Sequence, residues 1–248
     1  MVQNKLTPSI ELHKVTCHFD QYYGIHDISF ILHKGKLLSI CGPSGSGKTT
    51  LLRLIAGLEP PDSGVIQING SSVSTPDATI PPHRRHCAMI FQNLALWPHM
   101  TVAAHLHFIL PYLSKSERLD RVTLVLNQVK LANKADNYPH HLSGGEQQRL
   151  AIARAIAGKP DILLMDEPFS SLDFRLKKEM MGLLSNLRNE REMTVLYVTH
   201  NLDEIMHLSD NVLVMEKGDA VFFGSKAEFA HQFENDLKTA GEWMRCKR

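Results

Sequence analysis

Residues Gly42–Thr49 read G-P-S-G-S-G-K-T and fill every fixed position of the pattern G-x-x-x-x-G-K-[ST]. No other stretch of the 248-residue chain limits its possible folds so tightly. Glycines let a backbone wrap round an anion, so that successive N–H groups point inward at phosphate oxygens. Lys48 adds a positive charge for the outer phosphates, and Thr49 carries a hydroxyl suited to Mg²⁺. Such a loop needs a strand ahead of it and a helix behind it. "LLSICG" is apolar enough for a buried strand. "KTTLLRLIAGL" sets Leu51, Leu52, Leu54, Ile55 and Leu58 at helical spacing, with Gly57 as terminator. A chance Gly/Ser turn would lack those flanks. Gly42, Pro43, Ser44, Gly45, Ser46, Gly47, Lys48, Thr49 and Thr50 are therefore read as a nucleotide site.

The remaining patterns extend that core. "IELHKVTCHF" and "DISFIL" alternate like strands with one solvated face, and Asn69-Gly70 ends a hairpin strand. "CAMIFQ", "ILLM", "TVLYVTH" and "NVLVMEKG" complete the expected strands, all buried. Between Asn93 and Lys159 the pattern turns helical, with Leu119, Val122, Leu126 and Val129 on one expected face. A helix after "DEP" places Leu176, Met180, Leu183 and Leu187 together. The expected fold is α/β: a P-loop NTPase core with a mostly parallel sheet, antiparallel N-terminal β elements and an inserted α-helical subdomain. The expected organisation is an ATP-binding core over 1–92 and 160–225, helices over 93–159 and a short helical tail over 226–248.

Composition then excludes classes of function. With 27 basic and 26 acidic residues the formal charge is +1, no footprint for nucleic acid. The terminal "RCKR" reads as a solvated tail. Cysteines 17, 41, 87 and 246 form no CxxC pair and read as free thiols, mostly buried. "MVQNKLTPSIELHK" has no signal-peptide core, and no apolar run approaches the ~18 residues of a membrane helix. A cytoplasmic protein that reaches membranes through a partner is expected. The histidine clusters 83–86, 105–107 and 140–141 lack carboxylate or Cys partners at ligand spacing and are read as surface residues.

"ILLMDEP" delivers Asp166 and Glu167 to the end of a strand, where ligands of parallel sheets bind. Asp166 is expected to hold Mg²⁺, and Glu167 to orient or deprotonate a water.

"LSGGEQQR" narrows the field. Ser143 reads as an N-cap with Glu146 as its capping-box partner. Capping needs neither Gly144 nor Gly145, and two glycines in a first turn cost helix stability. A ligand must approach that backbone closely. On Leu142–Gln147, and over nearly its whole length, the chain resembles the ATP-binding-cassette family. The resemblance implies two copies paired head to tail, Ser143, Gly144, Gly145, Glu146 and Gln147 of each capping the ATP held by the other's loop. It further implies Gln92 as a glutamine touching Mg²⁺ and the attacking water, and Ser170–Asp173 as a loop crossing the dimer contact. His200 matches the histidine that touches the γ-phosphate. Phe19 is favoured to stack on adenine, with Tyr22 and Tyr23 as rivals.

"PPHRRHCAMIFQNLALWPHMTV" and "EPFSSLDFRLK" look most like importer ATPases serving sugars, polyamines, iron or oxyanions. Many of these carry a C-terminal regulatory domain, for which the ~25 residues after "VFFG" are too few. The implied function is ATP hydrolysis, with ATP and Mg²⁺, coupled to integral-membrane subunits at the inner face of the cell membrane. A substrate-binding protein joins through the complex. Trp97 and Pro98 sit where that family docks its membrane partner, though ordinary packing explains a Trp equally well. The alternative class is a soluble ATP-gated clamp on a macromolecule, whose relatives carry two cassettes or a coiled-coil insertion. Neither occurs here.

Overall fold

The computed structural model describes residues 7–18 and 24–232. Phe19, Tyr22, Tyr23 and Cys246 lie outside them, as does the tail beyond Gln232.

β1 (Pro8–His18) and β2 (Gly24–His33) bury alternate side chains, as their sequence alternation requires. β3 (Leu37–Cys41) is buried throughout and runs through the glycine loop into α1 (Lys48–Ala56), which Gly57 closes at φ 79°. Leu58 therefore falls past the helix end and is exposed, against expectation. β4 (Ser63–Ile68) and β5 (Ser71–Ser74) are joined by Asn69 and Gly70 at φ 49° and 75°, the handedness that suits a two-residue hairpin. β6 (Cys87–Ile90) is only half-buried rather than buried, because it forms the edge of its sheet.

Helices alone follow: α2 (Val102–Phe108), α3 (Lys115–Gln128) and α4 (Gly144–Ala157), with short 3₁₀ turns between. β7 (Ile162–Asp166), α5 (Phe174–Arg191), β8 (Thr194–Val198), α6 (Leu202–Leu208) and β9 (Asn211–Glu216) restore the α/β alternation. β10 (Asp219–Ser225) and α7 (Lys226–Gln232) end the described chain. β5 and β10 are not among the expected strands. β5 reads only S-S-V-S, and β10 is an exposed edge strand whose pairing depends on the tight Lys217-Gly218 turn.

Two sheets result. One is antiparallel, ordered β2-β1-β4-β5; the other is ordered β10-β9-β3-β8-β7-β6, parallel except for β10. One apolar cluster packs α1 between the two sheets. The other joins the helices α2–α4 and α5 to the opposite face of the parallel sheet. In α3 the buried face holds Arg121, Val122, Val125 and Leu126, whereas Leu119 is exposed. Arg121 occupies that face because its guanidinium donates to Ile156 O and Ala157 O at the end of α4. In α5 the buried positions are Met180, Met181, Leu184 and Leu187; Leu176 and Leu183 are half-buried. Among the described residues no helix is long and apolar enough to cross a membrane.

Candidate functional site

The glycine loop lies at the C-terminal edge of β3, and its own chain dictates its glycines. At Gly42, φ 143°, a Cβ would stand 2.0 Å from Met215 O; at Gly47, φ 97°, it would stand 2.6 Å from Ile25 Cγ2. Neither contact is tolerable. Ser46 is buried and its carbonyl accepts from Gly218 N at 3.3 Å, while Pro43 O accepts from Ser46 N. No side chain caps α1, which leaves its first N–H groups directed at whatever the loop holds. Lys48 Nζ donates to Gly42 O at 3.0 Å and Pro43 O at 2.7 Å. Burial pulls its pKa down, against the opposing pull of Glu167, Cys41 and Asp166. Ser44, Gly45 and Thr49 are exposed, and Thr50 is half-buried.

Asp166 closes β7, two strands away from β3, and is buried. Thr49 Oγ1 donates to its Oδ2 at 2.8 Å, so the two expected Mg²⁺ ligands are in contact. Burial lifts the Asp166 carboxyl above the usual range, with the Thr49 bond working the other way. A hydroxyl and a carboxylate are hard oxygen donors of the kind Mg²⁺ takes beside phosphate oxygens, and the pair fits that ion. Gln92, two residues past β6, is exposed; among the described residues no hydrogen bond joins it to this pair.

Glu167 turns away from the strand at φ 48°, a left-handed conformation that costs roughly 1–2 kcal/mol in a non-glycine residue. Its N–H donates to Val198 O at 3.1 Å, which holds the turn. The turn swings the carboxylate toward the end of β8, where His200 Nδ1 lies 3.3 Å from Oε1. The adjacent acids thus serve different neighbours, Asp166 the loop and Glu167 the histidine.

Ser143 caps α4. Its Oγ accepts from Glu146 N at 3.4 Å and Glu146 Oε2 accepts from Ser143 N at 2.9 Å. Gln147 Nε2 donates to Pro139 O at 3.0 Å and Leu142 O at 3.3 Å. Asp173 caps α5 through Leu176 N at 2.9 Å. Among the described residues no hydrogen bond links 143–147 to the loop 42–49. Gly144 has no positive φ, and a Cβ added there would meet no atom of the described residues within 4 Å, so nothing among them demands glycine.

Sequence reasoning missed Gln148. It is buried on α4; its Oε1 accepts from Ser171 N at 3.2 Å, and its Nε2 lies 3.4 Å from Ser170 Oγ and 3.5 Å from Glu167 O. One amide therefore ties the capped helix to the loop after Glu167. A Gln in "EQQR" carries no signal of that role.

His105 corrects the surface reading of the histidines, being fully buried. Nδ1 donates to Thr101 O at 2.8 Å and Nε2 accepts from Trp97 N at 3.0 Å, which selects one neutral tautomer. Burial accordingly lowers its pKa. The Trp97 ring stacks on it at 5.4 Å and lies 5.0 Å below the Arg154 guanidinium. Arg85, inside the 83–86 cluster, is buried too and donates to Leu54 O and Ile55 O at the end of α1.

Comparison with known proteins gives a consistent set of likenesses. Residues 25–170 match the family described as ABC transporter. A sulfate/thiosulfate import ATP-binding protein of Pseudomonas syringae pv. tomato is 42% identical over 235 residues, which cover 92% of this chain and 71% of that one. A spermidine/putrescine import ATP-binding protein of Pseudomonas aeruginosa is 42% identical over 213 residues, 85% of this chain and 58% of its own length. The chain thus spans less than two thirds of that second relative. The dimeric ATP-binding cassette MJ0796 in a post-hydrolysis state, bound to ADP and Pi, matches 87% of this chain and 98% of its own at TM-score 0.79 and 29% identity.

Proposed function

The chain belongs to the ABC transporter family, and on that premise we propose that it is the ATP-hydrolysing subunit of a membrane importer. The observation that carries the reading is the division of labour at one sheet edge: Thr49 on Asp166, and Glu167 beside His200. The loop N–H groups and Lys48 hold the β- and γ-phosphates of ATP. Thr49 and Asp166, with Gln92, would hold Mg²⁺, which when bound neutralises charge building on the phosphate oxygens. Glu167 takes a proton from the attacking water as its oxygen bonds the γ-phosphorus and the bond to the β-bridging oxygen breaks, leaving ADP with that electron pair. His200, against Glu167 Oε1, supplies a hydrogen bond to the γ-phosphate.

A second copy presents Ser143, Gly144 and Gly145 to the same phosphate, and this chain returns the contact. Two-fold pairing yields two such sites. Closure of the pair draws on the tighter grip of the closed state on ATP, and the Gln92–Trp97 region passes the motion to membrane-spanning subunits. The protein then sits at the inner face of the membrane through those subunits, with a substrate-binding protein delivering cargo on the far side.

Glu167→Gln is expected to keep ATP binding while turnover drops by roughly 10²-fold or more, the usual share of a general base. A tagged E167Q chain held in ATP should also retain a multi-span membrane protein through purification in detergent. Unchanged turnover would remove Glu167 as the base. Recovery of only a soluble complex, under conditions that preserve a known transporter, would favour the macromolecular clamp.

A further inference from the structure

Glu146 places a negative charge in the first turn of α4, the helix assigned to a partner's γ-phosphate. Two anions at one helix N-terminus compete for the same dipole and repel each other. The structure contains an answer to that conflict. Glu146 Oε2 is occupied by Ser143 N at 2.9 Å, and Oε1 is paired with Lys134 Nζ at 2.8 Å. Among the described residues Arg149 is near as well: its Nη1 donates to Val129 O and Lys130 O, and its Nη2 lies 3.9 Å from the same Oε1, at the limit of an ion pair and well beyond the Lys134 contact. Both carboxylate oxygens therefore face their own chain. Lys134 and Ser143 together hold the carboxyl below its usual range, so it stays ionised and paired.

Lys134 is placed for this by backbone. It ends the short turn Ala132–Lys134, whose preceding residue, Leu131, is fully buried. Lys134 N donates to Leu131 O at 3.0 Å, and its own carbonyl accepts from Asn137 N. The pair is only partly exposed, 31% for the Lys134 side chain and 17% for Glu146, so solvent screens it less than a surface pair.

We propose that Lys134 is a positioning residue that neutralises Glu146, so that the N-terminus of α4 can accept the γ-phosphate of a nucleotide bound by a second copy of this chain. The inference rests on the head-to-tail reading of the proposed function. It also assigns Glu146 a different task from nucleotide contact: the carboxylate orders the cap, and Lys134 cancels its charge.

The test is steady-state hydrolysis of Mg–ATP by the full chain, with KM and kcat separated, on Lys134→Met, Lys134→Arg and the K134M/E146Q double variant. K134M should raise KM for ATP roughly threefold to fivefold, the scale of losing a partly screened ion pair, with a smaller change in kcat. K134R should restore most of the affinity, and K134M/E146Q should return KM toward that of the parent because the unpaired charge is gone. A merely structural lysine would not be rescued by removing its partner. Unchanged KM in K134M, or no relief in the double variant, overturns the proposal. Gly144→Ala, followed for hydrolysis and for ATP-dependent dimerisation, separates the two levels. If G144A impairs both and K134M is silent, only the role of Lys134 fails. If G144A is silent as well, the head-to-tail reading fails with it.

Discussion

The loop at 42–49 and the helix start at 143–147, the two proposed phosphate cradles, both carry glycines at a helix N-terminus, yet they differ in what requires the glycine. In the loop the requirement is internal. Gly42 and Gly47 sit at positive φ, with Met215 O and Ile25 Cγ2 occupying the space a side chain would need. At Gly144 the backbone is helical and a Cβ would meet nothing among the described residues within 4 Å. A glycine there lowers helix propensity by roughly 1 kcal/mol relative to alanine, with no return among the described residues. The described structure accounts for the glycines at 42 and 47 but not for the one at 144, as the proposed contact with a second copy would require. That contrast is the physical argument for a site shared between two copies.

The sharpest way to break the comparison is to add the same methyl group to both. Gly42→Ala should destabilise the fold, by about 2–3 kcal/mol or more, because a positive-φ position is forced and a backbone oxygen must move. Gly144→Ala should leave the melting temperature unchanged or raise it, while ATP hydrolysis falls by about tenfold or more as a preorganised phosphate contact is obstructed. Thermal melts and turnover on both variants decide it. Equal loss of stability in the two would show that Gly144 serves its own chain after all.

Much of the molecule is legible in its sequence, for reasons that vary by residue. The loop, Asp166 and Glu167 are legible because phosphate chemistry fixes residue type and spacing along contiguous chain. The parallel core follows from fully apolar strands separated by helical periods. Gly144 is legible only as an anomaly, a residue type that local structure does not explain. Gln148 and His105 are not legible. Their roles come from the tertiary neighbours Ser171 and Trp97, which no local pattern encodes. Arg121 displaces Leu119 from the buried face of α3 for the same reason, since carbonyls at the end of a distant helix satisfy its charge. The three candidates for stacking on adenine, Phe19, Tyr22 and Tyr23, lie outside the described residues, and the choice among them stays where the sequence leaves it.

Gln148 offers a second test, because it ties α4 to the loop that follows Glu167 within one chain. Gln148→Leu keeps the volume of the side chain but leaves Ser171 N without its acceptor. An unsatisfied buried donor costs about 1–3 kcal/mol, so the melting temperature should fall by several degrees. Hydrolysis should fall as well, by less than in G144A, because the loop that follows Glu167 loses its tether to α4. A normal rate at a lowered melting temperature would confine Gln148 to packing.

The smallest expected effect compares α4 with α3. Both helices begin with the same capping box, Ser143–Glu146 in one and Ser114–Glu117 in the other, each with the reciprocal pair of hydrogen bonds. Local physics therefore treats the two serines alike, and replacing either by alanine should cost about 1 kcal/mol of stability. Only Ser143 is followed by glycines that its own chain does not require. Its Oγ accepts from Glu146 N, which leaves the hydroxyl proton available to a phosphate oxygen. Ser114→Ala should then change stability alone, whereas Ser143→Ala should show the same loss and, in addition, a severalfold higher KM for ATP. Matched melting curves with divergent KM values would isolate the share of the α4 cradle that lies beyond capping; identical kinetics in the two variants would reduce Ser143 to an ordinary cap and weaken the case for a shared site.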